Sequence, residues 1–245
     1  MKTYAICGLS SRAIGNFVLP LLGNPKLPEY GDYRAHGKIV AVLDMDPERV
    51  ATFNRNQGTS FAYYAADQFD KMVSETKPDV IIVTTPDGQH AQYIVAALKH
   101  NLEVITEKPM VIDGKQAQEV MEAERNSKGH VRVAHNYRYT PLHMGIKKLI
   151  MSGRLGKIVH AQMIYQLDTF HGSSYFARWN REREMSGGLT ITKGCHHFDL
   201  LNWWLNDEPD EVFAYGARNY YGANSPHDPA FLDGKEYNTA EKWER

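Results

Sequence analysis

The sequence predicts an α/β fold: a doubly wound parallel sheet, followed by a second α/β domain with an open, mainly antiparallel sheet. Short apolar runs alternate with helix-like segments early in the chain, and this patterning changes near residue 136. The length of 245 residues is sufficient for two modest domains. We therefore predict one domain over residues 1–136 and another over residues 137–245.

Buried strands are predicted in the first domain wherever a short run is rich in branched apolar residues. These runs are Tyr4–Cys7, Lys38–Leu43, Asp79–Thr84, Glu103–Thr106 and Val131–Ala134. Helices are predicted between them at Pro47–Asn54, Ala66–Thr76, Gln89–His100 and Gly114–Asn126. Alternation of strand and helix indicates a parallel sheet with helices on both faces.

The second domain has a different pattern. Helices are predicted at Pro141–Ser152 and Gly194–Leu205, and strands at Lys157–Leu167 and Glu211–Tyr220. The tail that follows is polar and lacks strand patterning. Because a sheet with few strands is hard to stabilise alone, we expect a homo-oligomer formed through this sheet, or a chain that is part of a longer protein.

Charge and cysteine content restrict the class of partner. The 28 basic and 29 acidic residues nearly cancel, which argues against nucleic acid or an anionic membrane as partner and favours a small molecule. Cys7 and Cys195 do not form a disulfide framework, so we expect a cytoplasmic protein. No apolar run approaches the roughly 20 residues needed to span a bilayer.

A candidate nucleotide site follows the first predicted strand. In the turn CGLSSRAIG, Gly8 matches the first glycine of G-x-G-x-x-G, while Ser10 and Ala13 occupy the other two glycine positions. Both residues are small, so a pyrophosphate could still approach the backbone, with Ser11 and Arg12 beside it. A turn without a ligand fits this motif equally well.

Asp44 ends the second predicted strand. A carboxylate in this position can accept hydrogen bonds from the ribose hydroxyls of NAD and repels a 2′-phosphate, so the sequence favours NAD over NADP. Asp44 could instead cap the next helix, but Asp46 before Pro47 suits that position better.

Two more segments follow predicted strands at the edge where ligands of open α/β sheets bind. They are TTPDGQH at Thr84–His90 and EKP at Glu107–Pro109. The cofactor-binding candidates in these segments are Thr85, Pro86, His90, Glu107 and Lys108.

Five motifs occur in order along the chain: TPDGQH, EKP, NYRY at Asn136–Tyr139, GRLGKI at Gly153–Ile158, and GGLTITKGCHHFDLLNWW at Gly187–Trp204. Together they resemble the glucose–fructose oxidoreductase, inositol dehydrogenase and MocA family of nicotinamide-dependent enzymes. The resemblance spans nearly the whole chain. It implies an N-terminal Rossmann domain that binds NAD or NADP, and a C-terminal α/β domain that often mediates oligomers.

The resemblance also implies catalytic residues. Lys108 of the EKP motif is expected to polarise the substrate oxygen and shuttle its proton, and Glu107 to orient that lysine or the nicotinamide side. His196 matches the acid/base histidine of the family motif D-x-G-x-H, but Thr192 stands where the aspartate is expected. Either Lys193 takes over a polar, catalytic role beside it, or the proton relay is organised differently.

Asp199 lies one helical turn after His196 and could hold its ring. His196, His197 and Asp199 could also be read as metal ligands. Adjacent residues on a helix diverge by about 100°, however, and no second ligand set is evident, so we expect no catalytic metal.

Sugar-binding residues are predicted in the NYRY motif, in the segment His171–Gly188 and at His197. The segment His171–Gly188 mixes aromatic rings with arginines, which suit stacking on a sugar and hydrogen bonding to its hydroxyls. A loop packed on its own aromatic rings fits this segment equally well. The substrate-binding candidates are Tyr137, Arg138, Tyr175, Arg178, Trp179, Arg181 and His197.

These features predict an NAD(P)-dependent oxidoreductase that acts on a secondary hydroxyl of a sugar, cyclitol or glycoside by hydride transfer. Two alternatives remain open. One is redox-assisted glycoside cleavage with transiently reduced NAD. This alternative stays open because Thr192 replaces the aspartate that the family motif would have. The other is a non-catalytic regulatory protein that binds NAD(P).

Overall fold

The protein divides into two compact units in a computed structural model that describes residues 1–217 and 219–221. The first unit is Met1–Ala134, and the second begins at His135. No helix in the described part of the chain is long and apolar enough to cross a membrane.

The first unit is built on a six-stranded parallel sheet. Its strands are β1 Lys2–Cys7, β2 Gly37–Leu43, β3 Ala62–Tyr64, β4 Val80–Val83, β5 Glu103–Thr106 and β6 Val131–Val133. They lie in the order β3-β2-β1-β4-β5-β6. The chain therefore builds outward from β1 in one direction and from β4 in the other, as in a doubly wound sheet.

Helices connect these strands. They are α1 Ser11–Ala13, which continues through a π-helical turn at Ile14–Val18 into α2 Leu19–Leu22, then α3 Pro47–Gln57, α4 Phe69–Thr76, α5 His90–Lys99 and α6 Gly114–Arg125. Short 3₁₀ turns lie at Pro28–Tyr30 and Asp87–Gln89. The start of α3 follows from its sequence, because Asp46 accepts hydrogen bonds from the backbone N–H groups of Glu48 and Arg49.

Apolar side chains cover both faces of the sheet. Along β1, Ala5 and Cys7 belong to one buried cluster and Ile6 to the other, as expected when successive side chains of a strand point to opposite faces. Burial raises the pKa of the Cys7 thiol, because the thiolate would lose its solvation there. Because both faces of the central strands are buried, the position of the carboxyl edge of the sheet is fixed.

The five strands predicted for the first domain are confirmed, and one strand was missed. The missed strand, β3, has three residues, of which Ala62 and Tyr63 are exposed, so it offers no apolar run to recognise. It forms because its backbone pairs with β2.

The second unit contains helices in its described part. They are α7 Pro141–Met151, α8 Thr169–Gly172, α9 Ser174–Ala177, α10 Arg183–Ser186, α11 Leu189–Thr192 and α12 Cys195–Leu205, with 3₁₀ turns at Asn136–Tyr139 and Trp179–Arg181. The helices predicted at Pro141–Ser152 and Gly194–Leu205 are therefore confirmed.

The two strands predicted for the second domain are wrong for the described residues. Residues 157–167 and the described part of 211–220 form neither helix nor strand. Val159 and Phe213 are 87% and 89% exposed, so the alternation of apolar residues in these segments does not correspond to a buried strand face. A strand needs a hydrogen-bonded neighbour, which the described residues do not provide. Arg218 and the polar tail at 222–245 lie outside the described residues.

Candidate functional site

Four predicted site segments meet at the carboxyl edge of the sheet. Gly8, Asp44, Thr84 and Glu107 directly follow β1, β2, β4 and β5. The backbone N–H of each residue donates to the end of a neighbouring strand, at 2.8, 3.1, 2.9 and 2.9 Å respectively. Neighbouring parallel strands therefore place these residues side by side.

The turn after β1 faces the turn after β4, where the strand order reverses. Thr84 Oγ1 donates to the carbonyl oxygen of Gly8 over 2.5 Å. Gly8 has φ +88°, and a Cβ atom there would lie 2.9 Å from both the backbone N and the Cγ2 of Thr85. Only glycine fits this turn without displacing Thr85. Thr85 Oγ1 is buried and has no hydrogen-bond partner among the described residues.

Asp44 is buried, with 3% of its surface exposed, and both carboxylate oxygens bind backbone. Oδ2 accepts from the N–H of Leu9 over 2.6 Å, and Oδ1 accepts from the N–H of Asp46 over 2.9 Å. A guanidinium nitrogen of Arg49 lies 3.8 Å from Oδ2. The carboxylate is therefore fixed beside the turn that contains Gly8.

The three polar residues after Gly8 differ in their surroundings. Ser10 caps α1, and its side chain accepts from the N–H of Ala13 over 3.2 Å. Ser11 and Arg12 are exposed. Their side chains are accessible to a ligand, whereas Ser10 is engaged by the helix.

Lys108 follows β5 in a turn that buried groups hold in place. The Lys108–Pro109 peptide bond is cis. Glu107 is buried and accepts from Asn16 Nδ2 over 3.3 Å and from the N–H of Lys108 over 3.3 Å. Glu107 thus fixes the backbone of Lys108, which agrees with an orienting role.

His90 connects two of these turns. Its ring is 1% exposed, with Nδ1 at 2.7 Å from the carbonyl oxygen of Pro109 and Nε2 at 2.8 Å from that of Thr85. Both ring nitrogens therefore lie at hydrogen-bonding distance from backbone carbonyl oxygens, and the neutral ring donates to one of them, according to its tautomer. This geometry makes His90 a residue that positions Thr85 and the EKP turn, where the sequence suggested direct cofactor contact.

Tyr137 lies at the centre of a cluster of polar side chains in the second unit. Its ring stacks on that of His196, with centroids 4.1 Å apart and planes at 9°, and it also stacks on His143. Lys193 Nζ donates to the Tyr137 hydroxyl over 3.0 Å. His196 and Lys193 are both buried.

Asp199 binds Arg138 and not the ring of His196 that the sequence suggested. Arg138 Nε donates to Asp199 Oδ2 over 2.8 Å, and its Nη2 donates to Oδ1. This carboxylate raises the pKa of Arg138 through those hydrogen bonds. His135 Nε2 also lies 3.6 Å from Asp199. The partner comes from 61 residues earlier in the chain, which helical spacing cannot reveal.

His197 packs on a second tyrosine, Tyr165, which the sequence did not identify. The two ring centroids are 4.1 Å apart, and the Tyr165 hydroxyl lies 3.5 Å from that of Tyr137. That hydrogen bond and burial raise the pKa of Tyr165. Desolvation, and then the charge of Lys193, lower the pKa of His197.

The aromatic segment 171–188 makes contacts of its own. Tyr175 stacks on His171 at 5.8 Å, Arg181 lies 3.4 Å from Glu182, and Arg178 is exposed. Trp179 begins the 3₁₀ turn and is partly buried. Sugar binding by these four candidates remains a prediction.

Comparison with known proteins identifies the family. A model described as "Oxidoreductase family, NAD-binding Rossmann fold" matches residues 2–135, and one described as "Oxidoreductase family, C-terminal alpha/beta domain" matches residues 147–238. The chain belongs to this oxidoreductase family. The predicted family and fold class are thereby confirmed, including the α/β character of the second domain.

Curated members of the family match most of the chain. The putative oxidoreductase YteT of Bacillus subtilis is 46% identical over 231 residues, which are 94% of this chain and 52% of YteT. Inositol 2-dehydrogenase of Rubrobacter xylanophilus is 27% identical over 73% of this chain and 48% of its own length. The chain thus spans about half the length of these relatives.

Solved structures share the fold. An oxidoreductase domain protein from Kribbella flavida superposes with a TM-score of 0.71 at 20% identity, over 85% of this chain and 55% of that one. WlbA dehydrogenase from Bordetella pertussis, in complex with NADH and UDP-GlcNAcA, gives 0.67 at 18% identity, over 83% and 55%.

Two other findings concern binding sites. Among the described residues, no group of three or more His, Cys, Asp or Glu side chains could hold a metal ion. A surface groove of about 390 Å³ is lined by residues of α4, α5 and α6 and by His100. The nucleotide and acid/base candidates are absent from its lining.

Proposed function

We propose that the chain is an NAD-dependent oxidoreductase that takes a hydride from a secondary hydroxyl carbon of a sugar, cyclitol or glycoside. The observation that carries this proposal is the carboxyl edge of the sheet. Gly8, Asp44, Thr85 and Lys108 lie there on adjacent turns, around the point where the strand order reverses. Ligands of doubly wound sheets bind at such a point.

The residues at this edge fit a dinucleotide. The absence of a Cβ at Gly8 lets Thr85 lie close against this turn, and the buried Oγ1 of Thr85 offers a hydrogen bond that the described residues do not use. Each Asp44 oxygen accepts one backbone hydrogen bond and has capacity for a ribose hydroxyl. Its buried negative charge opposes a 2′-phosphate, which favours NAD over NADP even with Arg49 nearby.

The proposed chemistry separates into a hydride and a proton. Bound NAD would accept the hydride from the carbinol carbon. Lys108 would donate a hydrogen bond to the substrate oxygen, while Glu107 and His90 hold its turn. His196 would take the hydroxyl proton, with its ring oriented by stacking on Tyr137. Arg138 and Tyr137 would bind other hydroxyls of the substrate.

Relatives support a carbohydrate-like substrate. They include inositol 2-dehydrogenases and a 1,5-anhydro-D-fructose reductase. The WlbA structure contains NADH and a sugar nucleotide. Because the chain spans only about half of its curated relatives, substrate and activity are proposals for the whole protein.

Redox-assisted glycoside cleavage is the second candidate. It needs acid/base groups beyond those of a simple dehydrogenase, because a C–H proton must be removed and the leaving aglycone protonated. His196 on Tyr137 and His197 on Tyr165 supply two imidazoles near one tyrosine pair. In this reaction the hydride returns to the sugar, so NADH does not accumulate.

We also propose that the protein forms a homo-oligomer through its second unit and resides in the cytoplasm. Val159, Ile164, Phe213 and Tyr215 are among the exposed apolar side chains there, and exposed apolar surface of this kind favours association. Cys7 and Cys195 are not joined to each other by a disulfide bond. Light scattering of the purified chain would give the oligomeric state.

A two-step experiment tests the function. Melting temperatures are first measured with NAD and NADP, since a ligand that binds the folded state raises them. Sugars, cyclitols and aryl glycosides are then assayed for NADH and for released aglycone. NADH in proportion to product supports dehydrogenation, and aglycone without NADH supports cleavage. Binding of NAD with no turnover of any compound would favour a regulatory protein, and no shift with either nucleotide would contradict the proposal.

A further inference from the structure

Lys193 is a buried cation that lacks a carboxylate partner among the described residues. It is 6% exposed, and its ammonium group donates to the Tyr137 hydroxyl. It forms no ion pair within the described part of the chain, and its ammonium group also lies near two aromatic rings. Burial of a charge is unfavourable unless an opposite charge compensates it.

The neighbours of Lys193 compensate its charge only in part. The ammonium lies 5.4 Å from the ring centroid of Tyr137 and 5.3 Å from that of Tyr165, within the range of cation–π attraction. Residue 192 is a buried, neutral threonine. The carboxylate of Asp199 is already bound by both arms of Arg138. The site therefore retains an excess positive charge.

The ring of His197 supplies a second hydrogen-bonding group, beside Tyr165. The His197 ring packs on Tyr165, and its Nε2 is buried without a hydrogen-bond partner among the described residues. The nearby Lys193 charge disfavours the protonated ring and lowers its pKa, after the larger effect of desolvation. An anion in this place would neutralise the charge of Lys193 and give His197 Nε2 a hydrogen-bond partner.

Tyr165 leaves this place accessible. It is 49% exposed, although Lys193, whose ammonium lies 5.3 Å from its ring centroid, is buried. A ligand that reaches the ring of Tyr165 thus comes near Lys193 and His197.

We propose that Lys193 and His197, on the ring of Tyr165, bind the carboxylate of an acidic sugar, so that the substrate is a uronic acid or its glycoside. This proposal rests on the proposed function and specifies its substrate class. One lysine and one neutral imidazole match a single negative charge. A phosphate dianion would call for more cationic donors, and Arg138 is already paired with Asp199.

Matched pairs of sugars test this proposal on the full chain. The probes are the methyl glycosides of glucuronate and glucose, and of galacturonate and galactose, which differ in a carboxylate against a hydroxymethyl group. Melting temperature is measured with and without NAD, and kcat/KM with NAD. We expect the acidic member of a pair to bind more tightly and to be the better substrate.

Substitution of Lys193 identifies the group responsible. Lys193→Met should lower the acid-to-neutral ratio of kcat/KM by about 10- to 100-fold, the effect of one charge-assisted hydrogen bond. Lys193→Arg should restore part of the ratio, which also shows that loss of folding is not the cause. Lys148→Met, at an exposed lysine of α7, should leave the ratio unchanged.

Two outcomes would overturn the proposal. One is equal binding and turnover of acidic and neutral members, with NADH formed, which leaves the oxidoreductase function intact. The other is a loss in Lys193→Met that is the same for both members. Absence of any nucleotide-induced melting shift would instead contradict the proposed function.

Discussion

The two units differ in what they bury. In the first unit, two apolar clusters cover the faces of the sheet, and the polar candidates lie at its edge. In the described part of the second unit, Leu200 is the one buried large apolar side chain, while Thr192, Lys193 and His196 are buried polar groups. Burial in the first unit therefore stabilises a scaffold, whereas burial in the second holds reactive groups at an energetic cost.

This difference predicts where substitutions act. In the first unit a change at the sheet edge should affect chemistry or nucleotide affinity. In the second unit, changes among the buried polar groups should affect substrate choice and pH dependence.

The largest expected effect is on the chemical step. Lys108→Met should lower kcat by about 10²- to 10⁴-fold, because the hydrogen bond to the substrate oxygen is lost. NAD affinity should change much less, as measured by calorimetry. Lys115→Met is the matched control, since its side chain is 84% exposed on α6. An unchanged kcat in Lys108→Met would remove this lysine from the mechanism.

A somewhat smaller effect is expected at the turn after β1. Gly8→Ala should destabilise the fold by about 1–3 kcal/mol and weaken NAD binding, because its Cβ meets Thr85 and its φ is positive. Chemical denaturation and NAD titration measure the two effects. Gly114→Ala is the control, as no atom lies within 4 Å of the added Cβ. Equal stability of the two variants would show that the turn tolerates a side chain.

In the second unit, the pair Arg138–Asp199 should contribute about 1–2 kcal/mol to stability, because its geometry is bidentate and its carboxylate is mostly buried. A double-mutant cycle with Arg138→Met and Asp199→Asn measures this coupling by denaturation. Additive effects of the two substitutions would mean that the contact is not formed in solution.

The smallest effect concerns pH. The pKa of His197 is lowered in the folded state, so the unfolded chain binds more protons and stability falls as pH drops below its ordinary value of about 6.5. His197→Gln lacks this contribution and should lose less stability between about pH 7.5 and 5.5. The difference should be a few tenths of a kcal/mol, since solvent screens a partly exposed group. A larger loss of stability in His197→Gln than in the unchanged protein would contradict the predicted direction.

Sequence patterns predicted the first unit well because its elements are determined locally. Apolar runs mark buried strands, and Asp46 before Pro47 marks a helix start. The position of Lys108 at a strand end follows from the same patterns. His90 was predicted as a cofactor contact because its motif follows a strand at the carboxyl edge of the sheet. The contacts of its ring with two backbone carbonyl oxygens depend on how distant segments pack, which the motif does not reveal.

The second unit was predicted less well because its key contacts join distant segments. Helical spacing suggested that Asp199 holds His196, while Arg138 binds that carboxylate. Tyr165 lies in a segment predicted as a strand, so its contact with His197 was not foreseen. Alternation at 157–167 indicated a strand but contained no information about a pairing partner.

Hydrogen–deuterium exchange tests the central claim most directly, namely that the first unit binds the nucleotide and the second binds the sugar. We predict that NAD slows exchange in the segments after β1, β2, β4 and β5, around Gly8, Asp44, Thr85 and Lys108. An acidic sugar that turns over should slow exchange around Tyr137 and Lys193. If NAD leaves all four strand-end segments unchanged, the assignment of the nucleotide site is wrong.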